Sequence, residues 1–278
     1  MLELSIHTCI IIILLACVVE YIDSTVGMGY GTTLTPVLLM MGFDPIQIVP
    51  AILITELFTG VAAGIMHSIA GNVDFSIKTI NPIKIAKSFT KYGLKESLKK
   101  GISQHLKMAL LIGVFSIIGA VFGVIFSIKL PEFYLKLYIG LLIVTIGIYI
   151  IITYKRKFKF TWLKLMVISL IASFNKGVSG GGYGPVVTGG QILAGVNGKN
   201  AVAITSVAEA LTCAIGIGTY YITGTAINWG LVPYLLIGGM LSIPLSVISV
   251  RKLRIENMKA LIGVATLILG SFTLIKLF

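Results

Sequence analysis

Lys176-Gly177-Val178-Ser179-Gly180-Gly181-Gly182-Tyr183-Gly184-Pro185 interrupts an otherwise apolar sequence with five glycines in eight positions. Each interior glycine costs a helix about 1 kcal/mol relative to alanine. The stretch therefore predicts a helix that stops, an open loop, and a second helix that starts near Pro185. Inside a membrane, non-helical backbone survives where it is buried in protein or lines a wet cavity. Glycine also serves close helix packing, but packing motifs space small residues four apart rather than running them together.

The stretch has a twin. With a shift of 153 positions and no gap, Gly27, Gly29, Tyr30, Gly31, Thr35, Gly42, Glu56, Thr59, Ile69 and Gly71 fall on identical residues from Gly180 to Gly224. That makes ten identities over 45 positions, including an acid inside an apolar run and a tyrosine between glycines. The chain therefore reads as an internal duplication. Duplicated halves with glycine-interrupted segments at matching positions predict a transporter whose site lies between the halves.

Composition sets the solvent. Charged residues are 12% of 278, about half the share in soluble proteins. Apolar runs near 20 residues recur, the length that crosses a bilayer core of about 30 Å. The fold class expected is an all-α polytopic membrane protein, multi-pass in the cytoplasmic membrane. The net charge of +12 lies mostly in loop lysines, which orient a chain in a bilayer and do not indicate nucleic acid. Cys9, Cys17 and Cys213 sit in apolar runs without metal spacing, and HExxH is absent, so no metal and no cofactor is expected.

The expected organisation is an N-terminal repeat over 1–153, a basic linker over 154–161 and a C-terminal repeat over 162–278. The first repeat carries an insert at about 78–105, where lysines recur every three or four residues beside Ile85, Phe89, Tyr92 and Leu98. That pattern reads as an amphipathic helix on an anionic leaflet, or else as a basic loop. Basic residues cluster in 78–107, 155–164 and 251–259. If all three face the cytoplasm, residues 162–193 form a re-entrant hairpin and 5–41 a second one from the opposite side. The repeats are then inverted, and their glycine tips meet near the midplane. If each broken segment crosses instead, the repeats are parallel.

The loops suit an anion. A helix starting after a glycine turn points free N–H groups and the positive end of its dipole into the turn. The candidate binding residues are Gly27, Gly29, Tyr30, Gly31, Thr32, Lys176, Ser179, Gly180, Gly181, Gly182, Tyr183 and Gly184. Lys176 aligns with Asp23, so it either attracts the anion or pairs with that acid. Glu56 and Glu209 sit mid-helix, where burial favours the uncharged carboxyl. They read as a proton relay or as supports that accept the loop N–H groups. Asn175 is a further donor, and His67, near a helix end, reads as interfacial.

These motifs resemble the TauE/SafE family, also called the sulfite exporter or TSUP family. The resemblance rests on Gly27-Met28-Gly29-Tyr30-Gly31-Thr32-Thr33-Leu34-Thr35-Pro36, on Ser179 to Val187, and on Gly71-Asn72-Val73-Asp74-Phe75. It implies a transporter of sulfite, a sulfonate or a related small anion, working by alternating access with proton coupling. Its partners would be that anion, protons and the lipid bilayer. A passive anion channel is the alternative. Gly177-Val178-Ser179-Gly180 also matches the GxSG of rhomboid-like intramembrane proteases, which need a later histidine base. His7, His67 and His105 all precede Ser179, so no enzyme is expected.

Overall fold

The computed structural model describes residues 5–27, 29–76, 103–153, 162–193, 196–225, 227, 229–250, 252 and 255–276. The basic linker and residues 78–102 of the amphipathic insert expected from the sequence lie outside them. Every regular element among these residues is a helix. In chain order these are α1 (Ile6–Val26), α2 (Tyr30–Met40), α3 (Pro45–Ile69), α4 (Gln104–Lys129) and α5 (Glu132–Thr153), then α6 (Trp162–Ser179), α7 (Tyr183–Leu193), α8 (Gly198–Ile222), α9 (Val232–Ser249) and α10 (Ile255–Ile275). Among the described residues, α1, α3, α4, α5, α8 and α9 are long and apolar enough to cross a membrane. The chain is a multi-pass membrane protein. At 11 residues each, α2 and α7 reach only about half the bilayer core at 1.5 Å per residue.

Local chemistry sets the boundaries. Ser5 caps α1 through its side chain, which accepts the Thr8 N–H at 3.2 Å. Asp44 and Gln47 form a capping box at the start of α3, with Pro45 in its first turn, where a missing N–H is harmless. The chain leaves α3 through left-handed Gly71 (φ 70°) and leaves α8 through Gly224 (φ 68°), so the twin positions share one turn geometry. Ser76, just before the insert, and Ser103, near its end, are joined by a backbone hydrogen bond of 3.1 Å, donated by the Ser103 N–H.

The first five helices correspond in order to the last five, and their packing is reciprocal. Helix α4 packs on α6, and α9 packs on α1. The central pair is α3 with α8, and a second pair is α5 with α10. Both pairs run antiparallel. Gly60 meets Ser206 and Ala210 while Leu53 meets Gly216, and Gly147 meets Leu267 while Gly140 meets Leu274. Backbones touch where glycine removes the side chain. A Cβ on Gly177 would lie 2.7 Å from the Ala120 carbonyl oxygen and 2.9 Å from the Val124 nitrogen. Gly177→Val is expected to lower stability by about 1–3 kcal/mol through overpacking, read as a lower midpoint of thermal unfolding in detergent.

Large apolar side chains such as Ile10, Leu14, Val114, Phe122, Leu241 and Leu245 are exposed, as lipid-facing positions require. Polar groups are concentrated inside. Glu20, Glu56, His67, Asn72, Lys176, Gln191 and Glu209 are all buried.

Candidate functional site

Two glycine turns meet at the centre. Helix α1 ends at Gly27 (φ 73°) and α2 follows Gly29 (φ 142°); α6 is followed by Gly180 (φ 71°), and α7 follows Gly182 (φ 80°). These are two pairs of twin positions, all in the region that L residues with a Cβ avoid. The turns touch directly. The Gly182 N–H donates to Thr32 Oγ1 at 3.0 Å, and Thr35 Oγ1 donates to the Ser179 carbonyl at 2.9 Å. A Cβ on Gly181 would lie 2.7 Å from both the Gly31 carbonyl carbon and the Thr32 nitrogen. Gly27 sits against Thr188.

The sequence suggests an open cradle of N–H groups, whereas the structure gives several of them partners within the protein. Gly180 N–H donates to the Lys176 carbonyl at 2.8 Å. Gly181 N–H donates to Ser179 Oγ at 3.1 Å, and Ser179 Oγ donates to the Asn175 carbonyl at 2.8 Å. Tyr30 N–H points at Asp23 Oδ1 at 3.4 Å. Gly184 is buried in the first turn of α7. Both tyrosines are fully enclosed: Tyr183 Oη lies 3.3 Å from Ser116 Oγ, and Tyr30 Oη is buried without a hydrogen-bond partner. The Asn175 side chain is turned to α5, accepting the Tyr138 O–H at 2.7 Å.

Beside the turns lies a charged cluster drawn from four helices. Lys176, on the last turn of α6, is only 1% exposed. Its Nζ donates to Glu209 Oε1 of α8 at 2.7 Å and forms a second ion pair with Glu56 of α3. The ion pairs of Lys176 are thus with the twin glutamates, rather than with the aligned Asp23. The glutamates bind the ammonium in place of the expected turn N–H groups. Carboxylate oxygens of Asp23, Glu56 and Glu209 lie within 4.8 Å of one another, and the cation that meets them is the Lys176 ammonium. Cys213 Sγ is 3.9 Å from Glu56 Oε2. Desolvating these charges costs several kcal/mol per ion, and only mutual pairing offsets it.

Two further buried groups stand out: Glu20, to which the sequence assigns no role, and His67, which it places at the interface. Glu20 is 2% exposed; its Oε1 accepts the Ser24 hydroxyl at 2.6 Å. Its counterpart under the shift is Ser173, so the duplication gives no signal for it. His67 is fully buried and not interfacial. One ring nitrogen lies 3.1 Å from the Ser24 carbonyl and the other 3.0 Å from Asn72 Nδ2. Asn72 Nδ2 can only donate, so Nδ1 accepts and Nε2 carries the proton.

An all-helical, multi-pass membrane protein with buried paired charges at the meeting of two glycine turns belongs to the class of membrane transporters. The family model described as "Sulfite exporter TauE/SafE" matches residues 12–82 and 84–273. The chain belongs to that family. It is 26% identical over 271 residues to the "Probable membrane transporter protein YtnM" of Bacillus subtilis (strain 168), covering 92% of this chain and 79% of that protein. No solved structure matches it.

Proposed function

We propose that this protein carries a small oxyanion, such as sulfite or a sulfonate, across the cytoplasmic membrane by alternating access, with protons moving alongside. The observation that carries the reading is Lys176, a buried ammonium held by Glu56 and Glu209. Among the described residues it is the one buried lysine or arginine. An ammonium with two carboxylate partners has little attraction left for an anion. Adding a proton to either glutamate neutralises that partner and frees the ammonium. Proton and oxyanion then bind cooperatively, so acidification on the loading side raises affinity for the anion.

The repeats, 1–153 and 162–278, are taken as inverted and related across the α3–α8 pair. The antiparallel course of the twin helices supports this, because an axis in the membrane plane reverses each element. Both re-entrant turns then sit at the shared centre. Rocking of one repeat against the other would part the turns, releasing the N–H groups of Gly27–Thr32 and Ser179–Gly184 toward the substrate.

The test is uptake into proteoliposomes of sulfite, sulfate, thiosulfate and a sulfonate, with and without a pH gradient. Saturable uptake that follows the gradient is expected; an unsaturated conductance would make the protein a channel. In the same assay Glu56→Gln and Glu209→Gln are each expected to flatten the pH dependence at least several-fold. Both variants keep their fold, because a neutral amide can still accept from Lys176. An unchanged pH profile in both variants defeats the relay.

A further inference from the structure

We infer that Glu20 is a second proton-binding site, separate from the Lys176 cluster and completed by Tyr30, Ser24 and Thr59. It deepens the transport reading above, but its first test needs no anion.

Two buried atoms motivate it. Glu20 Oε2 and Tyr30 Oη are enclosed, and each is without a hydrogen-bond partner. The residues are 2% and 1% exposed. An ionised carboxylate with one oxygen unpaired in a membrane interior pays most of its desolvation penalty uncompensated. A proton on Oε2 changes both facts. The carboxylate becomes a neutral acid, and Oε2–H becomes a donor facing hydroxyl acceptors. Oε1 keeps the Ser24 hydroxyl at 2.6 Å.

The acceptors are in place. Gly239 of α9 packs closely against this spot: a Cβ there would lie 2.8 Å from Thr59 Cγ2, 3.6 Å from Thr55 Cγ2 and 3.7 Å from Glu20 Cγ. Thr55, Thr59 and Glu20 therefore converge on one spot. The Thr55 hydroxyl donates to the Ala51 carbonyl at 2.9 Å, and its oxygen lies toward Tyr30 Oη. Thr59 lies within reach of the Glu20 carboxyl, and Tyr30 Oη lies in the field of that same carboxyl.

The surrounding charge points the same way. Asp23 is on the same helix and Tyr30 comes from α2; Glu56 comes from α3, Glu209 from α8 and Lys176 from α6, while His67 of α3 reaches Ser24 and Cys213 of α8 reaches Glu56. Helix α9 presents Gly239 here and no titratable side chain. Four carboxyls against one ammonium would leave three uncompensated negative charges, an untenable sum in a bilayer. Lys176 answers Glu56 and Glu209, and Asp23 has the Tyr30 N–H. Glu20 is the acid left without a donor for its second oxygen.

A purely structural role fits poorly. The counterpart in the second repeat, Ser173, is equally buried and simply donates to the Leu170 carbonyl at 3.0 Å. The same place in the architecture is thus filled without an acid. Glu20 also has a fixed support: His67 Nε2–H reaches the Ser24 carbonyl at 3.1 Å, and Asn72 holds the other ring nitrogen and the Val247 carbonyl, each at 3.0 Å. His67 positions Ser24, and Ser24 positions the Glu20 carboxyl.

Infrared difference spectroscopy of the purified protein between acid and alkaline buffer reads the site directly. The wild type is expected to show the C=O stretch of protonated carboxylic acids, and Glu20→Gln to lose one component of that absorption, which Glu56→Gln and Glu209→Gln retain. Tyr30→Phe, which keeps the acid, is expected to shift its frequency. Should Glu20→Gln fail to fold, the Tyr30→Phe comparison decides alone. An acid C=O absorption identical in wild type and Glu20→Gln, or one unmoved by Tyr30→Phe, overturns the assignment. In proteoliposomes with sulfite as probe, Glu20→Gln is expected to carry one proton fewer per anion while anion-for-anion exchange persists. An unchanged ratio also overturns it. If no variant and no wild type moves sulfite, the transport reading fails while the infrared result still stands or falls by itself.

Discussion

Lys176→Met is expected to abolish anion transport and to lower stability at neutral pH by about 3–5 kcal/mol, the usual result of removing one member of a buried ion cluster. The loss is large because the ammonium holds two glutamates at once. Removing it leaves Glu56 and Glu209 facing one another and Asp23, with oxygens inside 4.8 Å. Either protons must be taken up or the helices must separate. The triple variant Lys176→Met, Glu56→Gln, Glu209→Gln separates the two consequences. Asp23 is then the one carboxyl left of the three, without either of the others beside it, so the thermal midpoint is expected to return toward the wild-type value. Transport is not expected to return, because no cation remains for the anion. Recovery of sulfite uptake in that variant would show that the ammonium has no part in binding. A single-variant stability loss below about 1 kcal/mol would place the cluster in a far wetter setting than its burial indicates.

The second large effect concerns the contact between the turns. Gly31→Val or Gly181→Val is expected to reduce uptake at least tenfold and to cost about 1–3 kcal/mol. A side chain at Gly181 meets the Gly31 carbonyl carbon and the Thr32 nitrogen at 2.7 Å. Backbone of that kind cannot step aside as a flexible side chain can. The Gly182 N–H to Thr32 bond and the Thr35 to Ser179 bond would be lost together. The control is Gly218→Ala, where nothing lies within 4 Å of the added carbon. That change is expected to be neutral or stabilising by up to about 1 kcal/mol, from helix propensity. If Gly181→Val transports like the wild type, the turns do not need this close approach at any stage of the cycle.

The duplication made much of the centre legible. It paired Gly27 with Gly180, Gly29 with Gly182 and Glu56 with Glu209, and each pair lies in or beside the central contact. It could not supply the partner of Lys176. Alignment sets Asp23 opposite that lysine, but contact depends on how helices cross, and α3 and α8 bring their glutamates to it first. Nor could it show that the Gly182 N–H is met by Thr32, since that bond joins residues 150 positions apart. Glu20 went unmarked because its twin is a serine. His67 sits near the end of α3, where a sequence suggests an interface, but Asn72 and α9 close over it.

The reciprocal packing has a cost during synthesis. Helix α1 leans on α9 and α4 leans on α6, so an N-terminal portion released alone would lack the partners of both. Glu56 enters the bilayer 120 residues before its counter-ion Lys176 is made. At about 5–20 residues per second, the ribosome leaves that acid unanswered for on the order of ten seconds. During this interval the nascent chain must keep a proton on Glu56 or shelter it within the insertion machinery. Truncation after residue 161 should therefore yield a product that is degraded rather than a stable half-transporter.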